Sequence, residues 1–173
     1  IDIILNGLAH LNDSSIKFIV VGSGDPQYVS YLKELAHSKS ISNQIIWEGY
    51  KPFKDAMSLM LSADLSVISH TINEHTDNTI PHKLFQAMAL KVPLLVSSCK
   101  PLKRIVNSSD SGLVFDGGDH IDFGNKLKQF KKNPKLLQKC GENGYNAVIN
   151  GQFCWENDAK NLTNFYLSLR NKK

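Results

Sequence analysis

What this sequence has least of is apolar residues in unbroken runs. A membrane-spanning helix needs about 20 of them in a row, and no stretch comes near that length. The opening residues, IDIILNGLAHL, carry neither a basic leader nor a small-residue cleavage site, so no secretory signal is expected. Cysteine is scarce as well. Cys99, Cys140 and Cys154 make an odd number without metal-ligand spacing, which argues against a disulfide framework and a zinc site and for reduced thiols in a cytoplasmic setting. Charge of one sign is also in short supply: the net charge of +4 is mild, and the lysines are scattered apart from KQFKK (128–132) and the terminal RNKK. No aromatic or glycine-rich platform accompanies either run, so they read as a solvated helix face and a frayed tail, and nucleic acid is not an expected partner. There is no low-complexity linker and no internal repeat. At 173 residues, 42% of them hydrophobic, the chain suffices for one ordinary domain and is short for two.

What is present is a rhythm of short, β-branched apolar runs: IKFIVVG (16–22), QIIWEG (44–49), ADLSVIS (63–69), VPLLVSS (92–98) and SGLVF (111–115). Each suits a strand buried on both faces, as in a parallel sheet. Helical patterns alternate with them: PQYVSYLKELAHSK, with Tyr28, Leu32 and Leu35 at helical spacing, then FKDAMSLMLS, PHKLFQAMALK and a short PLKRIV. Strand and helix in alternation predict right-handed βαβ units and an α/β fold, a Rossmann-like doubly wound parallel sheet. After Phe115 the strands stop, and three closing helices are expected from HIDFGNKLKQFKKN, PKLLQKCGENGYNAVIN and CWENDAKNLTNFYLSLR. The front end is unusual. Ile1, Ile4, Leu5, Leu8 and Leu11 have helical spacing, so the chain opens on a helix with no strand before it. In a sheet of order 3-2-1-4-5-6 the first strand lies in the middle, and a gap is expected there. The chain is accordingly expected to be a piece of a longer protein.

Ligands of open α/β sheets sit beyond the carboxyl ends of the strands, which here are GSGD (22–25), GYKP (49–52), SHTINEHTDNTIP (69–81) and SSCKP (97–101). Gly22-Ser23-Gly24 permits close backbone approach before a helix, which suits a phosphate, but it lacks the third glycine of a dinucleotide fingerprint and has no Walker lysine. Alone it reads as an ordinary tight turn. The stretch around Pro81 says more. A proline in a first helical turn, Thr79 as its cap, and free amides carrying partial positive charge make an expected site for an anion such as a diphosphate. Lys83 and Gln86 share a helix face, while Leu84, Phe85, Met88 and Ala89 are placed to face the core. Singly, Lys83 and Gln86 would be surface residues. Their position behind a long polar loop, at the carboxyl edge of a sheet, favours binding.

The order FIVVGSGD, IIWEGY, ADLSVIS, PHKLFQAMALKVPLLVSS, SGLVFDGGD and FCWENDAKNL resembles, along essentially the whole chain, the carboxy-terminal donor-binding domain of GT-B glycosyltransferases of the group 1 (family 4) type. The resemblance implies a retaining transferase that moves a sugar from a nucleotide diphosphate donor without a metal or other cofactor. The other wall of its cleft would be an amino-terminal acceptor domain that this chain does not contain. It also implies that the opening helix follows a strand and a glycine-arginine…lysine-glycine segment. The family's glutamate-x7-glutamate motif falls on Asn78 and Gln86, so both acids are replaced by amides. Gln86 then stands where a glutamate accepts hydrogen bonds from ribose hydroxyls, and Asn78, beside Asp77, stands near the donor sugar. By the same resemblance Gly22, Gly24, Gly49, Tyr50, Ser69 and His70 line the diphosphate, base and sugar. Asn78, from this motif, and Lys83, from its place on the helix after Pro81, are the expected catalytic positions; Gln86, from the motif, and Thr79, from the helix start, are expected donor contacts. Arg104 stands where many relatives have glutamate. His75 is read as a plain loop histidine. Implied partners are a nucleotide-sugar donor and a sugar or lipid-linked acceptor, in bacterial polysaccharide or glycolipid biosynthesis, in the cytoplasm and at most peripheral to the inner face of a membrane. Two rivals stay open: a GT-B sugar-nucleotide epimerase, and a non-catalytic nucleotide-sugar-binding module.

Overall fold

A computed structural model of the chain describes residues 1–170; the RNKK tail, apart from the backbone of Arg170, lies outside the described residues. The first helix, α1 (Asp2–Leu11), buries Ile4, Leu5 and Leu8, the stripe its spacing predicted. Then follow β1 (Phe18–Val21), α2 (Pro26–Ser38), β2 (Ile45–Gly49), α3 (Phe53–Ser62), β3 (Ser66–Ile68), α4 (His82–Ala89), β4 (Leu94–Ser97), α5 (Lys100–Ser109) and β5 (Gly112–Phe115). Three helices close the chain: α6 (His120–Lys132), α7 (Pro134–Ile149) and α8 (Trp155–Arg170). Every predicted strand forms, shorter than its apolar run, and PLKRIV is the middle of a longer helix.

All ladders are parallel, but they form two sheets. β1 pairs with β2, with Phe18 opposite Ile45; β3, β4 and β5 pair in sequence, with Ser66 opposite Leu94 and Leu94 opposite Gly112. Among the described residues no ladder joins β1 to β3. The doubly wound sheet is thus divided, at the gap expected from the sequence. The physical reason lies in the strand order. The two sheets occupy positions 3-2 and 4-5-6 of a doubly wound arrangement, and the break falls where the first strand belongs.

Packing nevertheless bridges the break. One core holds Leu5, Leu8, Leu32, Ile45, Leu95, Phe115 and Phe123, with Phe18, Val20 and Val67 packed against it, so both sheets share it. The Phe115 and Phe123 rings meet edge to face at 5.3 Å. Because side chains alternate along a strand, Leu94 and Val96 point to the opposite face of the three-stranded sheet. There they join Ile68, Leu84, Met88, Leu102 and Ile105 in a second core. A fully buried side chain of this size contributes about 1.5–3 kcal/mol, and all four residues of β4 are buried. The corresponding face of the two-stranded sheet is less covered: Val21 and Ile46 are 38% and 40% exposed. On α4, Ala87 is buried and Ala89 is exposed, correcting the expectation that Ala89 faces the core. The last helix, α8, exposes Trp155, Leu162, Phe165, Tyr166 and Leu169, as an apolar surface larger than one small domain can cover would do. No helix among the described residues is long and apolar enough to cross a membrane. The three cysteines are buried and free.

Candidate functional site

Helices α2 to α5 all begin at the carboxyl edge of the strands, and their first turns differ in how their amides are satisfied. At α2 the Asp25 carboxylate accepts from Tyr28 N at 2.9 Å, so that terminus is closed. At α5 the backbone N–H of Lys100 donates to Asp77 Oδ1 at 3.0 Å, and the Lys100 ammonium lies 3.4 Å from Asp77 Oδ2. This terminus is closed too, by a residue from a different loop. Helices α3 and α4 follow prolines, Pro52 and Pro81, and no side chain caps either. Only the first of these carries an acid in its first turn, Asp55. The first turn of α4 has His82 and Lys83 instead. Of the four, α4 has open amides and no acid beside them, the arrangement that favours an anion.

Thr79 is not its cap. The Thr79 hydroxyl donates to the carbonyl of His75 at 2.9 Å, and Pro81, extended at φ −73°, holds the cap position just ahead of the helix. The reason is visible in the loop, which folds on itself before α4 begins. Thr76 Oγ1 accepts from Asn73 N and donates to the carbonyl of Thr71, while Asn73 Oδ1 accepts from Thr76 N. Asn78 Nδ2 donates to the carbonyl of Glu74 at 2.7 Å. Threonine and asparagine here spend their polar atoms on local turns, as these residues commonly do.

Lys83 and His70 both lie at this edge, near enough for the Lys83 charge to act on the His70 ring. Lys83 is exposed as a whole residue and makes no salt bridge among the described residues, yet the protein around its ammonium holds its pKa below the usual lysine range by desolvation. Burial also lowers the pKa of His70, and the positive charge of Lys83 lowers it further. His70 Nδ1 is buried without a hydrogen-bond partner, an uncommon state for a buried polar atom. This edge thus carries the open amides of α4, an ammonium with no ion pair among the described residues, and a buried imidazole nitrogen with no partner among them. Gln86 lies one turn further along α4, partly buried.

The glycine loops form a second wall. Gly22 N donates to the carbonyl of Gly49 at 2.8 Å, tying the ends of β1 and β2 together. Both glycines have positive φ, 128° and 65°, which other residues rarely adopt. With Ser23, Gly24, Pro26 and Lys33 they line an open groove of about 400 Å³. Tyr50 stands beside it, 76% exposed. Lys33, the charged residue of that groove, sits over the Trp47 ring at 5.9 Å from its centroid. Among the described residues no cluster of three or more His, Cys, Asp or Glu is placed to hold a metal ion.

Two contributors are not legible in the sequence. Asp77, beside the implied sugar position, is committed to α5. Cys99, just past the fourth apolar run, is the buried cap residue of α5, and its thiol faces the carbonyls of His70 and Thr71 at 3.7 and 3.9 Å. Pro101 in the first turn of α5 signals a helix start, but not which distant acid would cap it.

Fold and edge together define one half of a GT-B protein. The chain belongs to the glycosyl transferases group 1 family, whose model matches residues 1–147. Among solved structures it is similar to Anabaena HepE in complex with UDP, at 18% identity and TM-score 0.82, over 96% of this chain and 44% of that one. It is also similar to sucrose-phosphate synthase from Thermosynechococcus elongatus, at 18% identity and TM-score 0.77, over 98% of this chain and 43% of that one. A third likeness is to the C-terminal domain of the group 1 glycosyl transferase LpcC from Francisella tularensis, at 20% identity and TM-score 0.71, over 85% of this chain and 76% of that one. The chain thus spans less than half the length of the first two. No curated protein matches it in sequence.

Proposed function

We propose that this chain is the donor-binding half of an enzyme that transfers a sugar from a nucleotide diphosphate donor to an acceptor, with retention of configuration. The observation that carries the reading is the first turn of α4, which has no side-chain cap and no acid and carries Lys83 without an ion pair among the described residues. A departing nucleoside diphosphate develops negative charge there as the sugar leaves. Preorganised amides and cations stabilise such charge more in the transition state than in the ground state, which lowers the barrier. Lys83 and the α4 amides take the diphosphate. Gln86 accepts from the ribose hydroxyls as a neutral acceptor. Asn78, its Nδ2 engaged by the loop, offers Oδ1 toward the sugar, and His70 offers its ring nitrogen. Gly22 and Gly24 let the backbone approach phosphate, and Gly49 and Tyr50 face the base. Thr79 serves the loop rather than the ligand. The acceptor wall belongs to a further domain of a longer polypeptide, and a strand of that polypeptide fills the break between β1 and β3. The setting is cytoplasmic, in polysaccharide or glycolipid synthesis, without a metal.

HepE is found with UDP and with UDP-glucose, so these are the first probes. Titration calorimetry on the intact protein should show UDP binding, and a sugar nucleotide should be consumed only when an acceptor is supplied. Turnover of the donor alone to an epimeric sugar nucleotide would establish the epimerase instead. Failure to bind any nucleotide or nucleotide sugar would overturn the reading.

A further inference from the structure

The polar loop 69–81 carries His70 and Asn78, and two consecutive residues of another loop hold both of its ends. At the near end the buried Cys99 thiol faces the carbonyls of His70 and Thr71. At the far end Asp77 accepts from the backbone N–H of Lys100 at 3.0 Å. Between these points Ile72 packs on Gly117, so closely that an added Cβ there would lie 2.7 Å from Ile72 Cδ1. Gly117 N in turn donates to Ser98 Oγ at 3.0 Å. The three loops that follow β3, β4 and β5 are therefore stitched together through residues 98–100.

From this clasp we infer that Asp77 is a positioning residue for the donor site, acting through the backbone amide of Lys100 to hold His70 and Asn78 against the open end of α4. The inference rests on the donor-site reading above. Its chemistry is one-sided. The Asp77 side chain is 16% exposed and the Lys100 side chain 82%. An ion pair whose cation is that exposed contributes little. The amide bond, from a helix terminus to a largely buried carboxylate, is the strong component. It also explains why Asp77, although adjacent to Asn78, does not replace the missing acid: its two oxygens are already engaged.

The test compares three variants of the intact protein by UDP titration and by hydrogen exchange of peptides spanning 70–79. Asp77→Asn keeps a neutral acceptor for the Lys100 amide but loses its charge assistance and the exposed ion pair, so its UDP affinity should lie between those of the parent and Asp77→Ala. Asp77→Ala removes the acceptor; exchange in 70–79 should rise while β4 stays protected, and UDP affinity should fall about tenfold, the loss of one hydrogen bond to a charged group. Should Asp77→Ala fail to fold, Lys100→Pro deletes the same N–H from the other side at a helix position that accepts proline, with the same expected outcome. A variant that loosens the loop but binds UDP like the parent overturns the inference. So does an Asp77→Ala or Lys100→Pro protein that leaves exchange unchanged. A parent protein that binds no UDP or UDP-glucose overturns the donor-site reading itself and this inference with it, a result visible before any variant is made.

Discussion

Lys83→Met separates a ligand-binding cation from a structural one, because the two roles predict opposite effects on the free protein. Lys83 has no ion-pair partner among the described residues, and desolvation holds its pKa below the usual lysine value of 10.5. Between that lowered pKa and 10.5 the unfolded chain binds more protons than the folded one, so stability rises with pH across the window. Below it the charged lysine is a standing cost to the fold. Replacing it with an uncharged side chain of similar length relieves that cost, and the melting temperature of the unliganded protein should stay the same or rise. A diphosphate reverses the balance. Its charge compensates the ammonium, and losing one charge-assisted hydrogen bond costs about 1.5–3 kcal/mol, or about 10- to 150-fold in Kd. Calorimetric titration of the intact protein with UDP at pH 7 measures the affinity, and a thermal melt without ligand measures the stability. UDP affinity in the parent should also weaken as the pH approaches the lowered pKa of Lys83 and its ammonium discharges. A Lys83→Met protein that binds UDP within twofold of the parent, or that melts several degrees lower without ligand, would refute the argument.

Three further outcomes are expected. Gln86→Ala should weaken UDP binding modestly, by about 0.5–1.5 kcal/mol per neutral hydrogen bond lost, whereas Gln86→Glu should keep or strengthen it; if Gln86→Glu abolishes binding and Gln86→Ala does not, Gln86 is no ribose ligand. Burial lowers the pKa of His70 from 6.5, so as the pH falls below 6.5 the unfolded chain takes up a proton before the folded one and stability drops; denaturant melts from pH 7.5 to 5 should show that slope shrink in His70→Gln. Gly112→Ala should unfold the three-stranded sheet, since its Cβ would lie 2.0 Å from the carbonyl oxygen of Leu94 across the ladder; far-UV circular dichroism and solubility report it, and a protein of parental stability would show that β4 and β5 can separate.

Much of the fold was legible because it depends on periodicities that do not require knowing the neighbours. β-branched runs gave five strands, and the spacing of Ile4, Leu5 and Leu8 gave a helix with one buried stripe. The break in the sheet was legible through topology, from a helix that opens the chain. What failed were assignments that hinge on competition between local partners. Thr79 has the right chemistry for a cap, but its hydroxyl is nearer the His75 carbonyl in a loop already folded through Asn73 and Thr76. Asp77 bonds 23 positions along the chain, a pairing no local spacing encodes. Nor does composition reveal that Lys83 is unpaired. It shows only in the fold, where Asp25 and Asp77 cap helices and Glu48 pairs with Lys51.

The two walls of the candidate site rest on foundations of different strength. His70, Asn78, Lys83 and Gln86 project from segments around β3 and α4, and these lean on β4, whose residues are buried to the last side chain. Core packing lies on both faces there, and the loops after β3, β4 and β5 are tied to one another. Gly22, Gly24, Gly49 and Tyr50 stand on a two-stranded sheet that has one well-packed face and, among the described residues, no ladder to β3. A two-stranded sheet is marginal by itself, so its position relative to α4 depends on the shared core around Phe18, Val20 and Leu32. A strand inserted at the break would pair with β1 and β3 at once, converting a hydrophobic contact into a directional ladder. In the proposed donor site the phosphate at α4 and the base beside Gly49 would lie on opposite sides of that break. A ladder across the break would therefore fix the reach between the two walls, and on the proposed reading it should strengthen the binding of a nucleotide that spans them.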